Sequence, residues 1–325
     1  MQRSMLEIKN LKKYFPVKGS GFFRPRALVK AVDGVSFTLD KGETLGLVGE
    51  SGCGKSTVGR LILGLIRPTE GEIYFQGRNI PGMDRKELRR IKRDIQLIFQ
   101  DPYGSLNPRM TAGDIVGEAL EIHRIAKGED KEKRVEELFE LVGLKPQYKA
   151  RYPNQLSGGQ RQRIAIARAL AVGPRLIVCD EPVSALDVSV QAQVIDLIQE
   201  LQQKLGQAYL FISHDLGVIR HISDRVAVMY LGRIVELAHR DQVFGQPAHP
   251  YTRAMLDAAP VVSPHQRKER VPLEGEVPSA INPPGGCRFH TRCVKALPVC
   301  SEVEPVLSDI GGGTSMRVSS LLGQG

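Results

Sequence analysis

A glycine-rich stretch at residues 49–57 carries the residue types best suited to chemistry in this chain. Its sequence, Gly-Glu-Ser-Gly-Cys-Gly-Lys-Ser-Thr, fits the phosphate-loop pattern G-x-x-x-x-G-K-S/T at every required position. In such a loop, backbone N–H groups converge on phosphate oxygens and the following helix presents the positive end of its dipole. We therefore expect Lys55 to reach the β- and γ-phosphates and the Ser56 hydroxyl to ligate Mg²⁺. The predicted nucleotide contacts in this stretch are Gly49, Ser51, Gly52, Cys53, Gly54, Lys55, Ser56 and Thr57.

The residues on either side of this loop have the patterns that a phosphate loop requires. Residues 43–48 are largely apolar and follow a Lys-Gly turn, whereas residues 57–66 repeat apolar side chains at helical spacing. Further strand-like segments at residues 95–99, 176–179 and 208–212 alternate with helical ones, which is typical of parallel βα units. The sequence therefore predicts an α/β fold of the P-loop NTPase class.

Two other regions differ in character from this core. Alternating apolar residues within 5–39 predict a small antiparallel sheet beside the phosphate loop, interrupted by an exposed loop at residues 16–30. Residues 101–170 predict a helical insert, because Val135, Leu138, Phe139 and Val142 form one apolar stripe among charged residues. Residues 249–252 predict the start of a short helix, and five prolines between residues 264 and 284 predict that regular structure is interrupted after it.

Polar residues near the ends of later strands indicate which reaction the nucleotide site could catalyse. Asp180 and Glu181 follow an apolar strand, where a carboxylate can hold Mg²⁺ and its neighbour can orient or deprotonate a water molecule. Gln100 closes another strand, and His214 follows a third. A second pair of glycines after a serine, at a helix start, predicts another backbone site for an anion, formed by Ser157, Gly158, Gly159 and Gln160.

At these residues the chain resembles the nucleotide-binding subunits of ABC transporters, over roughly residues 5–240. The resemblance implies that ATP and Mg²⁺ bind, that Glu181 is the general base, and that Ser56, Gln100 and Asp180 serve the metal. It implies further that His214 contacts the γ-phosphate and that Asp187 couples two sites in a head-to-tail dimer. In that dimer, the signature loop at residues 157–160 acts on the ATP of the partner subunit. By alignment, Phe15 would stack on adenine, with Tyr14 as the alternative.

Two stretches are similar to one branch of that family, the dipeptide and oligopeptide importers. They are the N-terminal segment at residues 16–37 and the motifs His-Pro-Tyr-Thr-Arg at 249–253 and Asn-Pro-Pro-Gly-Gly-Cys-Arg-Phe at 282–289. The resemblance implies an ATPase domain at 1–240, with its helical subdomain at 101–170, and a C-terminal extension at 241–325. It also implies a cytoplasmic, peripheral subunit beside an identical or paralogous ATPase, two membrane permeases and an extracytoplasmic binding protein. Dipeptide, oligopeptide, nickel and glutathione importers share this kind of ATPase.

Three of the five cysteines lie near the C-terminus, at Cys287, Cys293 and Cys300. Relatives in this branch commonly have a fourth cysteine and bind an iron–sulfur (4Fe-4S) cluster there, whereas residues 311–325 contain none. By composition, His290 could complete a Cys₃His zinc site. Iron–sulfur, zinc and free or packed thiols therefore remain three alternatives.

Composition and charge exclude some classes of function and leave others open. The chain has 325 residues with a net charge of +9, and it has neither an apolar run of membrane-spanning length nor an apolar signal segment. We therefore expect it neither to span a membrane nor to be exported. The positive charge is compatible with a second hypothesis, a soluble ABC-type ATPase acting on nucleic acid or ribosomes. The C-terminal extension argues against nucleic acid as a partner, and intact Lys55 and Glu181 argue against a third hypothesis, a regulatory module without turnover.

Overall fold

The structure is a computed structural model that describes residues 4–17, 27–259 and 275–318. Most of the predicted loop at residues 16–30 and the end of the C-terminal tail lie outside these ranges. The described strands are β1 Leu6–Pro16, β2 Leu28–Leu39, β3 Thr44–Val48, β4 Glu70–Phe75, β5 Arg78–Asn79, β6 Ile95–Ile98, β7 Leu176–Asp180, β8 Ala208–Ser213, β9 Arg225–Tyr230, β10 Arg233–His239, β11 Val306–Asp309 and β12 Ser315–Val318.

The α-helices that the structure describes lie among these strands. They are α1 Lys55–Ile62, α2 Arg85–Asp94, α3 Pro102–Ser105, α4 Ala112–Ile122, α5 Gly128–Leu141, α6 Gly158–Leu170, α7 Val188–Leu205, α8 Leu216–Ile222, α9 Arg240–Gly245, α10 Pro250–Ala258 and α11 Val299–Glu302. Among the described residues, no helix is both long enough and apolar enough to cross a membrane.

The larger sheet has eight strands and carries the phosphate loop near its centre. Its order is β11-β12-β10-β9-β3-β8-β7-β6, and β3 pairs in parallel with both β8 and β9. All five residues of β3 and all six of β8 are buried, as expected for central parallel strands covered on both faces. The loop after β3 thus leaves the carboxyl end of a rigid central strand. The predicted parallel βα units are confirmed.

The smaller sheet is antiparallel, in the order β2-β1-β4-β5, which confirms the sheet predicted from residues 5–39. β1 and β2 pair from Leu6 with Leu39 to Pro16 with Leu28, so both strands extend into the predicted loop. One core cluster fills the space between the two sheets and includes Leu11, Val35, Leu47 and Val58. The smaller sheet therefore packs beside the phosphate loop.

The helical insert covers α3 to α6 and packs on the opposite face of the larger sheet. Val135, Leu138, Phe139 and Val142 are all buried in a second core cluster, so the predicted apolar stripe is confirmed. The same cluster includes Ile164 of α6 and Phe211 of β8. The insert is thereby fixed to the sheet that carries the site.

The C-terminal residues form more regular structure than the prolines suggested. β12 pairs with β10 through Glu236 and Leu237, and β11 pairs with β12, so both strands lengthen the larger sheet. The short helix predicted at 249–252 is observed as α10, whereas the expected interruption of regular structure after it is wrong for residues 306–318, which form β11 and β12. The described prolines between α10 and β12, at positions 278, 283, 284, 298 and 305, lie outside the strands, which leaves β11 and β12 free to pair.

Candidate functional site

The loop between β3 and α1 has the backbone shape that its glycines permit. Gly49 has φ 156° and Gly54 has φ 110°. A Cβ atom on Gly49 would lie 2.1 Å from the carbonyl oxygen of Met229, and one on Gly54 would lie 2.1 Å from that of Ala31. A side chain at either position would therefore clash with a nearby backbone oxygen, and the positive φ angles also favour glycine. The loop is held between the smaller sheet and the hairpin of β9 and β10.

Lys55 begins α1 and folds back over the loop that precedes it. Its Nζ atom donates hydrogen bonds to the carbonyl oxygens of Gly49, at 2.8 Å, and Glu50, at 3.0 Å. The side chain is buried, at 5% exposed, so these carbonyls solvate its charge. The structure thus places the ammonium group over the loop, and its contact with nucleotide phosphates stays a prediction.

Ser56 and Asp180 lie together, although they are 124 positions apart in the sequence. The Ser56 hydroxyl donates a hydrogen bond of 2.8 Å to Oδ1 of Asp180, the last residue of β7. Burial raises the pKa of Asp180, opposed by this hydrogen bond. A hydroxyl and a carboxylate oxygen are ligands that suit Mg²⁺, so these two residues fit the metal implied for this site.

The next residue, Glu181, connects the polar groups that follow two other strands. Its Oε2 accepts a hydrogen bond of 3.0 Å from Nε2 of Gln100, and its Oε1 lies 3.1 Å from Nδ1 of His214. The Glu181 backbone has φ 49°, and its N–H donates to the carbonyl oxygen of Ile212 in β8. The carboxylate is therefore held at a strained turn, with one side-chain partner on either side.

The predicted signature loop forms the start of α6. Ser157 is the N-cap, and its hydroxyl accepts from the Gln160 N–H while the Gln160 side chain accepts from the Ser157 N–H. A Cβ atom on Gly158 would lie 3.0 Å from Leu186, and one on Gly159 would lie 2.5 Å from Val190. The loop therefore packs closely on the segment that contains Asp187, the exposed N-cap of α7.

The two aromatic candidates for the adenine base differ in their surroundings. The Tyr14 hydroxyl donates a 2.5 Å hydrogen bond to Oδ1 of Asp33. Phe15 is 37% exposed, and Nζ of Lys13 lies 5.1 Å from the centre of its ring. Phe15 is therefore the freer of the two rings, and it stays the predicted stacking residue.

The structure does not support a metal site at the three C-terminal cysteines. Among the described residues, no group of three or more His, Cys, Asp or Glu side chains is arranged to hold a metal ion. Cys287 and Cys293 pack against the core, and burial raises the pKa of both thiols. His290 turns its Nδ1 atom towards the backbone oxygen of Cys287, at 2.7 Å. Packed thiols fit these surroundings best.

Several contacts at the phosphate loop were not predicted from the sequence. Arg292 forms an ion pair with Glu50, and the Tyr251 hydroxyl accepts a hydrogen bond from the Glu50 N–H. Glu50 occupies a variable position of the phosphate-loop pattern, so the pattern gave no signal for either contact. Nearby, the buried Asp33 carboxylate pairs with Arg233 and Arg288.

Comparison with known proteins agrees with this geometry. The family model described as ABC transporter matches residues 32–184, and the one described as the C-terminal region of oligopeptide/dipeptide transporters matches residues 235–300. The chain is 53% identical to the oligopeptide transport ATP-binding protein AppF of Bacillus subtilis, covering 94% of this chain and 93% of AppF. It is 51% identical to the dipeptide transport ATP-binding protein DppF of Escherichia coli, covering 96% and 93%.

Solved structures that resemble this fold also come from the ABC family. A dimeric ATP-binding cassette in a post-hydrolysis state with ADP and Pi is 32% identical, with a TM-score of 0.63 over 73% of this chain and 99% of that one. The subunit cbiO1 of an ABC transporter complex of Clostridium perfringens is 26% identical, with a TM-score of 0.65 over 75% and 92%. These likenesses confirm the predicted P-loop fold of the ABC ATPase class. The chain belongs to the ATP-binding subunits of ABC transporters, in the branch that carries the oligopeptide/dipeptide-transporter C-terminal region, and it is an ATPase.

Proposed function

We propose that this chain drives peptide uptake, as the motor subunit that couples ATP binding and hydrolysis to transport through membrane permeases. The observation that carries the proposal is the cluster of Gln100, Glu181 and His214 directly beside the Ser56–Asp180 pair. This cluster places a carboxylate base next to a site for a nucleotide and its metal. The relatives named above are oligopeptide and dipeptide transport proteins, which supports peptides as the cargo.

Hydrolysis would begin with an attack of water on the γ-phosphate. We assign Glu181 as the general base that orients this water and accepts its proton, because its carboxylate is held between Gln100 and His214. His214 is 57% exposed in its side chain, so it can reach towards the γ-phosphate from the end of β8. Most of the rate enhancement would come from positioning and electrostatic stabilisation.

The phosphates would be held by the loop and by Lys55. The Lys55 ammonium group lies over the loop carbonyls and would exchange these partners for β- and γ-phosphate oxygens, while loop N–H groups donate to the phosphates. Ser56 and Asp180, with Gln100 nearby, would hold Mg²⁺, which neutralises charge on the β- and γ-phosphates when it is bound. Phe15 would stack on the adenine.

A second ATPase subunit, identical or paralogous, would complete each site. The first N–H groups of α6 have no partner within the helix, and Ser157, Gly158 and Gly159 would present them to the γ-phosphate on the partner. Asp187, at the start of the neighbouring helix, would couple the two sites. One solved cassette among the structural relatives is dimeric, which supports this arrangement.

The remaining partners follow from the same family membership. The loop 101–109 and the helical insert at 101–170 would form the groove for the coupling helix of a permease, and the transporter would have two permease subunits. The chain would then lie peripherally at the cytoplasmic face of the membrane. An extracytoplasmic binding protein would deliver the peptide. We keep the ATPase domain at 1–240 and the extension at 241–325 as the proposed division of the chain.

Reconstitution tests this function. The chain, its partner ATPase and the permeases are placed in proteoliposomes, and ATP hydrolysis is measured with and without peptide-loaded binding protein. The proposal predicts stimulation by the loaded binding protein together with ATP-dependent peptide accumulation. Stimulation by RNA or DNA, without peptide accumulation, would instead support the soluble ATPase that acts on nucleic acid.

A further inference from the structure

Glu50, the second residue of the phosphate loop, is held at two points by the C-terminal extension. Nη1 and Nη2 of Arg292 lie 2.8 and 3.1 Å from the two carboxylate oxygens of Glu50, which is a bidentate ion pair. The Tyr251 hydroxyl accepts a 3.0 Å hydrogen bond from the Glu50 N–H. The extension therefore contacts both the backbone and the side chain of this residue.

Both of these contacts come from well-packed parts of the extension. The side chain of Arg292 is only 4% exposed, and its guanidinium lies 5.9 Å from the centre of the Tyr230 ring. Tyr251 is fully buried, and its ring packs against those of Tyr230 and Phe289, at 4.7 and 5.3 Å between centres. Such packing fixes the two polar groups in one geometry.

The helix that carries Tyr251 is itself anchored to the larger sheet. The buried carboxylate of Glu236, in β10, accepts hydrogen bonds of 2.9 Å from the N–H groups of Ala248 and His249, just before α10. A continuous set of contacts thus runs from β10 through the start of α10 to the phosphate loop. We refer to Glu236, Tyr251 and Arg292 as the brace.

The charge on Glu50 explains why a brace would matter for nucleotide binding. Glu50 lies between two predicted nucleotide contacts, Gly49 and Ser51, and the Lys55 ammonium group contacts the Glu50 carbonyl oxygen. An unpaired carboxylate here would repel the polyphosphate, because charges a few ångströms apart interact strongly where water is partly excluded. The Glu50 side chain is 26% exposed, so solvent screens its charge only in part.

We propose that Arg292 and Tyr251 are positioning residues for ATP, through which the C-terminal extension neutralises Glu50 and fixes the phosphate loop. This inference rests on the proposed assignment of that loop to the bound nucleotide. It gives the extension a role inside the ATPase site of its own subunit. Arg292 acts through Glu50 and does not itself touch the nucleotide.

The test distinguishes the effect of the Arg292 charge on ATP binding from the effect of Arg292 on folding. Nucleotide affinity of the full chain is measured by displacement of a fluorescent ATP analogue, and KM and kcat are measured in the reconstituted transporter. The variants are Arg292→Ala, Arg292→Lys, Tyr251→Phe, Glu50→Gln and the double variant Glu50→Gln/Arg292→Ala. Arg253→Ala, which removes an exposed arginine of α10, is the matched control.

If the brace acts as proposed, its variants should change the binding of ATP more than its turnover. Arg292→Ala should raise Kd and KM for ATP by about tenfold, with kcat changed less than about threefold, because it leaves a carboxylate unpaired beside the phosphates. Arg292→Lys, which keeps the charge and loses the bidentate fork, should fall between Arg292→Ala and wild type. Tyr251→Phe should raise KM by about twofold to threefold, since it removes one hydrogen bond. Arg253→Ala should match wild type.

The double variant gives the sharpest outcome. Glu50→Gln/Arg292→Ala should restore KM to within about threefold of wild type, because the repelling charge is gone. Unchanged KM in Arg292→Ala, or a double variant as impaired as Arg292→Ala, would overturn the inference. If Arg292→Ala does not fold, the KM values of the folded double variant and of Arg292→Lys are compared with that of wild type, and this comparison decides whether the inference holds. Lys55→Ala tests the underlying assignment separately, since wild-type nucleotide affinity in that variant would refute the site itself.

Discussion

Changing His249 to asparagine should remove a pH-dependent part of the protein's stability. His249 is 4% exposed, and its Nδ1 atom accepts a 3.1 Å hydrogen bond from the Tyr251 N–H as the N-cap of α10. Burial, followed by the charge of Arg317, lowers its pKa from 6.5 to about 4. The Glu236 carboxylate, in β10, accepts a hydrogen bond from the His249 N–H. The neutral imidazole is therefore the form that the folded protein holds.

The size of this effect follows from the two pKa values. The unfolded chain binds the proton first as pH falls, so stability is fully present above pH 6.5 and is lost as pH falls towards 4. A shift of about 2.5 pKa units corresponds to about 3 kcal/mol when the loss is complete. Between about pH 7.5 and about pH 5, the loss from this group should be about 2 kcal/mol.

The assay compares wild type with His249→Asn, because asparagine is a good N-cap and does not titrate in this range. The free energy of unfolding is measured by urea denaturation, followed by circular dichroism, at several pH values between about 7.5 and about 5. Contributions from all other titrating groups cancel in the difference between the two proteins. That difference should shift by about 2 kcal/mol in favour of the variant as pH falls. A difference that does not change with pH would refute the reasoning.

Three further predictions concern other parts of the site. Gly54→Ala should abolish nucleotide binding and lower the melting temperature, because the new Cβ atom would clash with the Ala31 carbonyl oxygen. The control is Gly173→Ala, because no atom lies within 4 Å of the Cβ position there. Glu181→Gln should bind ATP and lower turnover by about 100-fold or more, and near-normal steady-state hydrolysis would contradict its assignment as base. Asp33→Asn should cost about 3 kcal/mol in urea unfolding, because it leaves the buried Arg288 without its carboxylate partner and leaves Arg233 with Glu304 alone. A cost below about 1 kcal/mol would argue against a structural ion-pair cluster.

The parts of the fold with a strong local pattern were predicted well from the sequence. Gly232 predicts a hairpin turn between residues 225–229 and 233–237, and the apolar spacing of residues 188–205 predicts a helix. The structure has the β9–β10 hairpin and α7 at these places, because turn chemistry and helical periodicity act over a few residues. Element ends were less accurate. α1 begins at Lys55, two residues before the predicted start, because the glycine-rich loop turns into the helix earlier than the apolar pattern begins.

The candidate site was predicted by motif and brought together by the fold. Gln100, Glu181 and His214 follow three different strands, and nothing in their local sequence requires them to meet. Parallel strands place their carboxyl ends at one edge of the sheet, which is why the three side chains come into contact. Their roles as catalytic residues stay predictions.

The C-terminal extension was the least predictable part of the chain. Arg292 and Glu50 are 242 positions apart, and their ion pair depends on how the extension packs beside the loop, which no local pattern encodes. Likewise, β12 is a short strand that exists because β10 offers it an edge. The cysteine spacing left an iron–sulfur cluster, a zinc site and free or packed thiols as alternatives, and the structure packs Cys287 and Cys293 against the core.

The most direct test of the shared-site account is the variant Ser157→Arg in the assembled transporter. Its signature loop would present a bulky cation at the helix start, while its own phosphate loop is unchanged. We predict that nucleotide affinity of the variant chain matches wild type and that hydrolysis at the partner's site is lost. Normal ATP hydrolysis by the assembled Ser157→Arg transporter would contradict the claim that each site needs a second subunit.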